Sequence, residues 1–164
     1  TGIFKYSNTS RQTMEIAGFL MEKGIDFPKI IDDSFFAKTY GQAKLHGRAV
    51  LDSVRILDNR CVYTVVTTDE LREYGCTVKA TDGIVDQLRI IEGIEIAFLL
   101  YQTGNPDEYK VSLRTNSKVD VSRIAQSFGG GGHVKAAGCT MTGEPQEIVE
   151  KISGKIREQW KEFE

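Results

Sequence analysis

The sequence contains few of the residues that mark several common classes of protein. Its 164 residues include 3 cysteines, 3 prolines, 2 histidines and 1 tryptophan. Cys61, Cys76 and Cys139 form no Cys-x-x-Cys pair, which indicates reduced thiols in a cytoplasmic protein rather than a disulfide framework. No apolar run reaches membrane-spanning length, because Glu95 interrupts residues 94–100, and no signal peptide is recognised. A cytoplasmic protein without a membrane partner is therefore expected.

The chain also has no excess of positive charge. It carries 21 Lys and Arg residues against 23 Asp and Glu residues, a formal net charge of −2, and its isoelectric point is near 5.8. This balance excludes a basic nucleic-acid scaffold, so an anionic ligand would have to be held by a local group of cations. Hydrophobic residues make up 40% of the chain, which is enough for the core of one ordinary domain.

One segment contains far more glycine than its surroundings. Four consecutive glycines, residues 129–132, precede His133 and the small residues 136–138. Glycine loses more backbone freedom on folding than any other residue, so such a run is expected where φ is positive or where another group approaches the backbone closely. Bare N–H groups there can form a concave anion site, and the patterns GxxxxGK[ST] and GxGxxG are both absent. We interpret the segment as a loop that binds an anionic ligand; a flexible linker is the alternative.

This interpretation has a consequence for two of the glycines. If the loop binds phosphate through its backbone, a methyl group at Gly131 or Gly132 should block the ligand while the fold survives. The variant His133→Ala should likewise remove one hydrogen bond to the ligand without disturbing the backbone.

Hydrophobic periodicity and turn residues predict an α/β fold, a small mixed β-sheet with flanking helices, in the second half of the chain. Thr9 and Gln12 form a capping-box pattern ahead of the first helix, and Asp26 and Pro28 open a second helix. The predicted helices cover residues 10–23, a short segment after Asp26, 34–57, a short segment from 68, 83–91, 121–128 and a last helix from Pro145. The predicted strands are 61–67, 94–101, 109–115 and 138–142.

Three stretches of the sequence resemble the DHH phosphoesterase family, which is named for its Asp-His-His motif. Residues 130–138 are similar to the GGGHxxAAG signature of the DHH-associated C-terminal domain. Residues 1–9 resemble the segment that follows the last metal-binding aspartate of the catalytic DHH domain, and residues 112–114 with 119–125 resemble the SLR…DVSxIA lead-in to the glycines. Within the family the resemblance is nearest to the nanoRNases and 3′-phosphoadenosine 5′-phosphate (pAp) phosphatases, formerly described as exopolyphosphatase-related.

The resemblance implies a division of the chain and a function. Residues 1–33 would be a helical C-terminal remnant of the catalytic DHH domain, 34–58 a long linker helix, and 59–164 the DHH-associated substrate-binding domain. The function implied is the substrate-binding half of a metal-dependent phosphoesterase that hydrolyses short oligoribonucleotides, pAp, or both. The family holds two manganese ions with aspartates and histidines, but this sequence has no Asp-His-His and no Asp-x-Asp motif. With no catalytic residue and no metal ligand expected here, and with an opening on Thr1 rather than Met, we expect a piece of a longer enzyme that is inactive alone.

The resemblance also implies roles for individual residues. The substrate-binding residues are Arg114, Gly130, Gly131, Gly132 and His133, because an arginine can grip a phosphate with two parallel hydrogen bonds and the glycine loop can approach it closely. The ligand is a short oligonucleotide or a nucleoside phosphate.

Other residues are assigned less specific roles. Lys135 either adds positive charge to the site or is a solvated lysine, and Thr1, Tyr6 and Asn8 belong to an interdomain cleft. His46 is expected to be structural or exposed rather than part of a site.

Two other functions remain open from the sequence. Related domains occur in RecJ-like nucleases and alanyl-tRNA synthetases, so the chain could be a nucleic-acid-binding module without catalysis of its own, and a scaffold with a vestigial site is the third possibility. Strong binding of long single strands needs a basic groove, and only five cations lie near one another in the sequence: Lys110, Arg114, Lys118, Arg123 and Lys135. Short ligands are therefore favoured, and a homodimer is left open as the oligomeric state.

Overall fold

The computed structural model describes residues 2–5 and 8–163. The backbone groups into two compact units, Thr1–Thr39 and Tyr40–Glu164. Each unit has its own arrangement of secondary structure.

The first unit is helical, and none of its described residues is buried. It contains α1 (Arg11–Glu22), α2 (Phe27–Ile31) and a π-helix (Asp32–Phe36). All residues of these three helices are described, and none of them is buried. The first two helices were predicted, but the capping box joins Ser10 to Thr13 rather than Thr9 to Gln12.

The predicted long helix over residues 34–57 is wrong. The π-helix ends at Ala37, whose ψ of 125° is extended, and a new helix, α3, covers only Tyr40–Leu51. The residues that follow form the strand β1 (Val54–Ile56). The apolar residues recur at helical spacing across both breaks, so their periodicity alone could not show where the backbone changes conformation.

The second unit continues from α3 and β1 as an alternation of strands and short helices. The strands are β2 (Cys61–Val66), β3 (Ile96–Gln102), β4 (Glu108–Thr115), β5 (Gly131–His133) and β6 (Ala136–Thr142). The helices are α4 (Thr68–Glu73), a 3₁₀ turn (Val78–Thr81), α5 (Ile84–Arg89), α6 (Val121–Gln126) and α7 (Pro145–Lys161).

The six strands form one mixed sheet in the order β1-β2-β3-β4-β6-β5. Only β2 and β3 pair in parallel, with Cys61 opposite Ile96, and the other four pairs are antiparallel. The parallel connection requires a crossover, and α4, the 3₁₀ turn and α5 supply it. The predicted fold class, a small mixed sheet with flanking helices, is confirmed.

Each face of the sheet carries its own hydrophobic core. On one face α6 and α7 pack against alternate residues of β2, β3, β4 and β6, with Phe98 and Leu113 fully buried. On the other face α3, α4 and α5 pack against β2 and β3, with Leu99 and Leu88 fully buried. Successive side chains of a strand point to opposite faces, so the alternation of buried and accessible residues along β4 places Tyr109, Val111, Leu113 and Thr115 toward the first core.

Local signals in the sequence account for the helices that flank the sheet. Pro145 begins α7 at a position where a missing N–H is not needed. Asp120 caps α6 by accepting hydrogen bonds from the backbone N–H groups of Ser122 and Arg123. The hydrogen bond from the Ser122 hydroxyl is the main cause that lowers the pKa of Asp120. None of the helices in the described ranges combines the length and apolar character needed to cross a membrane.

Candidate functional site

Half of one sheet face is not covered by a helix in the second unit. The helices of the second core lie over β2 and β3, whereas the same face of β4, β6 and β5 carries accessible side chains. We call this half the open face. It is formed by Lys110, Ser112 and Arg114 of β4, Ala136, Gly138 and Thr140 of β6, and Gly131 and His133 of β5.

The strand register brings Arg114 and His133 into one row across the open face. Arg114 lies opposite Ala136, and Ala136 lies opposite His133. Arg114 and His133 are thus two strand spacings apart, about 10 Å between backbones. The only side chain between them in the row is the methyl group of Ala136, so an anion placed above it can be reached from both sides.

Arg114 is held in place by neighbours on α5 and on its own strand. Its Nε lies 3.4 Å from Asp86 Oδ1, and its Nη1 donates a 3.1 Å hydrogen bond to the carbonyl oxygen of Leu113. Asp86 also lies 3.3 Å from Nη2 of Arg89, so two arginines share one carboxylate. The Arg114 side chain is 28% exposed, and the shared carboxylate leaves this pair of arginines with a net positive charge.

The glycine segment is an edge strand rather than a free loop. Gly131, Gly132 and His133 form β5, which pairs with β6 through a two-residue turn. The N–H groups of Gly129 and Gly130 donate to the carbonyl oxygens of Gln126 and Ala125 in α6. These two N–H groups are therefore already used by the fold, and the anion site expected from bare backbone amides has fewer donors than the sequence indicated.

The glycines of this segment differ in how much the fold depends on them. A Cβ at Gly130 would lie 2.2 Å from the carbonyl oxygen of Gly138, and a Cβ at Gly132 would lie 2.6 Å from the Ala136 oxygen. Gly132 also has a φ of +145°, a region that favours glycine. A Cβ at Gly131 would meet nothing within 4 Å. The expectation that the fold tolerates a methyl group is wrong for Gly132, whereas Gly131 has room for one.

The five cations that lie near one another in the sequence are dispersed in the structure. Lys110 and Arg114 share the open face, but Arg123 pairs with Glu162 at 3.0 Å beside the opposite core. Lys135 donates to the carbonyl oxygen of Ser117, and Lys118 lines a separate pocket with Ser117. The structure thus brings together Arg114, His133 and Lys110 rather than one basic groove.

The other residues to which the sequence assigned a role lie outside the open face or outside the described residues. His46 is 3% exposed, and its Nε2 donates a 2.9 Å hydrogen bond to the carbonyl oxygen of Ala80, so of the two expected positions, structural or exposed, the structure shows the buried, structural one. Thr1 and Tyr6 lie outside the described residues, and Asn8 is an exposed residue of the first unit.

Two residues of the open-face region were not recognised from the sequence as parts of a site. Lys110 lies four residues before Arg114 on β4, on the same face, and Tyr101 of β3 lies directly opposite Lys110. The alternation of residues along β4 contains the signal for Lys110. Burial raises the pKa of Tyr101, and the charge of Asp82 adds to the increase.

The described residues offer no ligand set for the manganese ions that the resemblance implies. Among residues 2–5 and 8–163, no group of three or more His, Cys, Asp or Glu side chains is arranged to hold a metal ion. These residues therefore do not fit the metal centre that the resemblance implies for the family.

Comparison with known proteins identifies the second unit as a familiar domain. Residues 58–162 match the family described as the DHHA1 domain. The chain is 28% identical over 160 residues to the bifunctional oligoribonuclease and PAP phosphatase NrnA of Thermus thermophilus, covering 97% of this chain and 47% of that protein. It is 26% identical over 141 residues to the protein of the same name in Bacillus subtilis, covering 86% of this chain and 44% of the relative. The chain thus spans about half the length of the curated relatives it matches.

A solved structure has the same fold. An exopolyphosphatase-related protein from Bacteroides fragilis superposes with a TM-score of 0.86 over 94% of this chain and 45% of the other. The two sequences are 23% identical, so the likeness concerns the fold alone.

Proposed function

This chain belongs to the DHHA1 domain family, and from that premise we propose that it is the substrate-binding half of a phosphoesterase. The proposed substrates are short oligoribonucleotides, pAp, or both. Two relatives that carry the name oligoribonuclease and PAP phosphatase support this choice. The observation that carries it is the row in which Arg114 and His133 flank Ala136 on the open face.

The row suits a phosphate group of the substrate. Arg114 supplies a charged, planar donor that matches phosphate oxygens, and Asp86 with the Leu113 carbonyl orients its Nε and Nη1. This leaves Nη2 to reach an added oxygen. His133, which is exposed at the sheet edge, supplies a donor from the other side. In this proposal the two side chains bind and orient the phosphate, and the residues that activate water lie outside the described part of the chain.

The glycines contribute by placing no side chains above the backbone in this part of the open face. Gly130 and Gly132 allow the segment to lie against β6, where a Cβ would collide with backbone atoms. Gly131 and Gly138 lie opposite each other in the next row of the open face and present no side chain there. A ligand can therefore approach the backbone closely beside the Arg114–His133 row.

The charge distribution favours this proposal over a module that binds long nucleic acid. A long single strand needs a continuous basic groove with stacking aromatics. Here Arg123 is neutralised by Glu162 on another side of the unit, and Lys135 is tied to Ser117. The cations left on the open face suit a ligand of one or two nucleotides.

Several finer features of the function stay predictions. In the proposed enzyme two manganese ions would be held by residues other than the described ones, and the 164 residues alone would not hydrolyse a phosphoester. A cytoplasmic location and a homodimer are likewise proposed.

Calorimetric titration of pAp into the 164-residue chain tests the proposal. Arg114→Ala should weaken binding by about ten- to a hundredfold, because a charge-assisted hydrogen bond contributes about 1.5–3 kcal/mol. His133→Ala should also weaken binding, and Lys151→Ala, on the helix that covers the opposite core, is the matched control. Equal affinities for the parent, Arg114→Ala and His133→Ala would reject the proposed site.

A further inference from the structure

Arg114 belongs to a chain of polar contacts that extends from the open face to the end of α5. Its Nε lies 3.4 Å from Asp86 Oδ1, and the same oxygen lies 3.3 Å from both Nε and Nη2 of Arg89. One carboxylate oxygen therefore serves two guanidinium groups. Arg89 follows Asp86 by three residues on α5, so the helix itself brings these two side chains together, whereas Arg114 approaches from β4.

Asn116 holds the other side of Arg89. Its side-chain oxygen accepts a 3.0 Å hydrogen bond from Arg89 Nη1, and its side-chain nitrogen donates a 2.8 Å hydrogen bond to the Arg89 carbonyl oxygen. Because Asn116 lies two residues after Arg114, these bonds tie the end of β4 to the end of α5. The Arg89 side chain is 18% exposed, so water screens its charge less than it screens the charge of a surface arginine.

The charges of these side chains determine what Arg114 can offer a phosphate. Two guanidinium groups and one carboxylate leave one net positive charge. Without Arg89, Asp86 and Arg114 would form a neutral pair, and a guanidinium can bind a carboxylate through two parallel hydrogen bonds. More of the donors of Arg114 would then be directed to Asp86 and fewer to a ligand. Arg89 thus competes with Arg114 for the carboxylate.

We propose that Arg89 is a positioning residue for the phosphate site. It touches no ligand itself, and it keeps donors of Arg114 free for a phosphate because it shares the carboxylate of Asp86. Asn116 supports this role by orienting the Arg89 guanidinium. The inference rests on the proposed function, to which it adds a residue of α5 that lies outside the open face.

Another ion pair in the chain provides a matched control. Asp69 and Arg72 on α4 are also three residues apart, with 2.7 Å between Asp69 Oδ1 and Arg72 Nη1. The Arg72 side chain is 77% exposed, and among the described residues the carboxylate paired with Arg114 is that of Asp86. Arg72→Ala therefore removes the same charge from the same kind of helical pair without affecting the partner of Arg114.

Calorimetric titration of pAp into the 164-residue chain and its variants tests the inference. Arg89→Ala should weaken binding by about three- to tenfold, less than Arg114→Ala, because it weakens a charge-assisted contact without removing it. Arg72→Ala should bind pAp as the parent does. The double variant Asp86→Asn/Arg89→Ala has the net charge of the parent group and an amide oxygen in place of the carboxylate, so its affinity should recover to within about twofold of the parent.

This recovery separates positioning from a purely structural role, because removing a second charged side chain from α5 would not repair a loss of stability. Arg89→Lys, which keeps a cation beside Asp86, should bind pAp more tightly than Arg89→Ala, and thermal melting verifies that each variant is folded. Parent-like affinity in Arg89→Ala, or a double variant as weak as Arg89→Ala, would overturn the inference while a weakened Arg114→Ala leaves the proposed function intact. Parent-like affinity in Arg114→Ala would instead reject the proposed function.

Discussion

Two neighbouring glycines should respond in opposite ways to the same substitution. Gly132→Ala places a methyl group 2.6 Å from the Ala136 oxygen and 2.6 Å from the Ala137 Cα, at a φ of +145°. Gly131→Ala places the same group where nothing lies within 4 Å, on the open face opposite Gly138. The pair therefore separates the structural use of glycine from a binding use.

The expected destabilisation follows from two effects at Gly132. Holding alanine in a sparsely populated backbone region costs about 1–3 kcal/mol, and forcing atoms into a packed position costs about 1–3 kcal/mol more. Because β5 is a short edge strand that can shift, we expect a total near the lower end, about 2–4 kcal/mol. With about 2–4 °C per kcal/mol in a chain of this size, the melting temperature of Gly132→Ala should fall by about 5–15 °C.

Gly131→Ala should keep its stability within about 0.5 kcal/mol of the parent, as is usual for accessible positions, but it should bind pAp weakly. Thermal melting and calorimetry on both variants make the comparison. Equal melting temperatures for Gly131→Ala and Gly132→Ala would refute the assignment of Gly132 to a close backbone approach. Unchanged affinity in Gly131→Ala would show that no ligand lies over this part of the open face.

Other predictions concern the arginine, the thiols and a helix cap. Arg114→Lys should recover only part of the affinity lost in Arg114→Ala, because lysine lacks the planar fork; full recovery in calorimetry would contradict bidentate binding. Burial raises the pKa of Cys61 to about 12 and that of Cys139 to about 11. At pH 8 both thiols should therefore resist a thiol reagent until the chain unfolds. Rapid labelling of either thiol in the folded chain would contradict this. Asp120→Ala should destabilise the chain by about 0.5–2 kcal/mol at pH 7, because it removes a helix cap. The hydrogen bond from Ser122 lowers the pKa of Asp120 in the folded state. The stabilisation by the carboxylate is therefore fully present above the ordinary pKa of an aspartate and is lost as the pH falls through the lowered pKa of the folded state. Denaturant titrations of parent and variant should therefore converge at low pH, and a difference that stays constant down to pH 2 would contradict the role of the carboxylate.

Much of the second unit was predictable because its signals are local. The strands β2, β3 and β4 contain long apolar or alternating runs of residues. Each of these strands is buried under helices on at least one face of the sheet. Pro145 at the start of α7 and the helical spacing of Ile148, Ile152 and Ile156 likewise predicted the last helix, whose apolar side is buried.

The errors arose where the structure depends on distant contacts. Residues 34–57 keep a helical spacing of apolar residues, yet Val54 and Ile56 pair with Tyr63 and Cys61 in an edge strand, and nothing within the segment itself specifies that pairing. The sequence predicts a loop for all four glycines, but Gly131 and Gly132 pair with Gly138 and Ala137 in an edge strand.

The contacts of Arg114 could not be predicted from the sequence either. Its carboxylate neighbour, Asp86, lies on α5 and meets β4 only because the crossover places that helix over the sheet. The resemblance to a family motif identified Arg114 and His133, whereas the neighbouring Lys110 and Tyr101 needed the strand register to be seen as part of the same face.

The most direct test of the account is a map of where a nucleotide binds. Amide chemical shifts of the isotope-labelled 164-residue chain can be followed by NMR while pAp is added. The account predicts changes concentrated in residues 110–114 and 129–138, with little effect on α7, which covers the opposite core. Changes confined to α6 and α7, or no change at millimolar pAp, would contradict the claim that the open face binds the substrate.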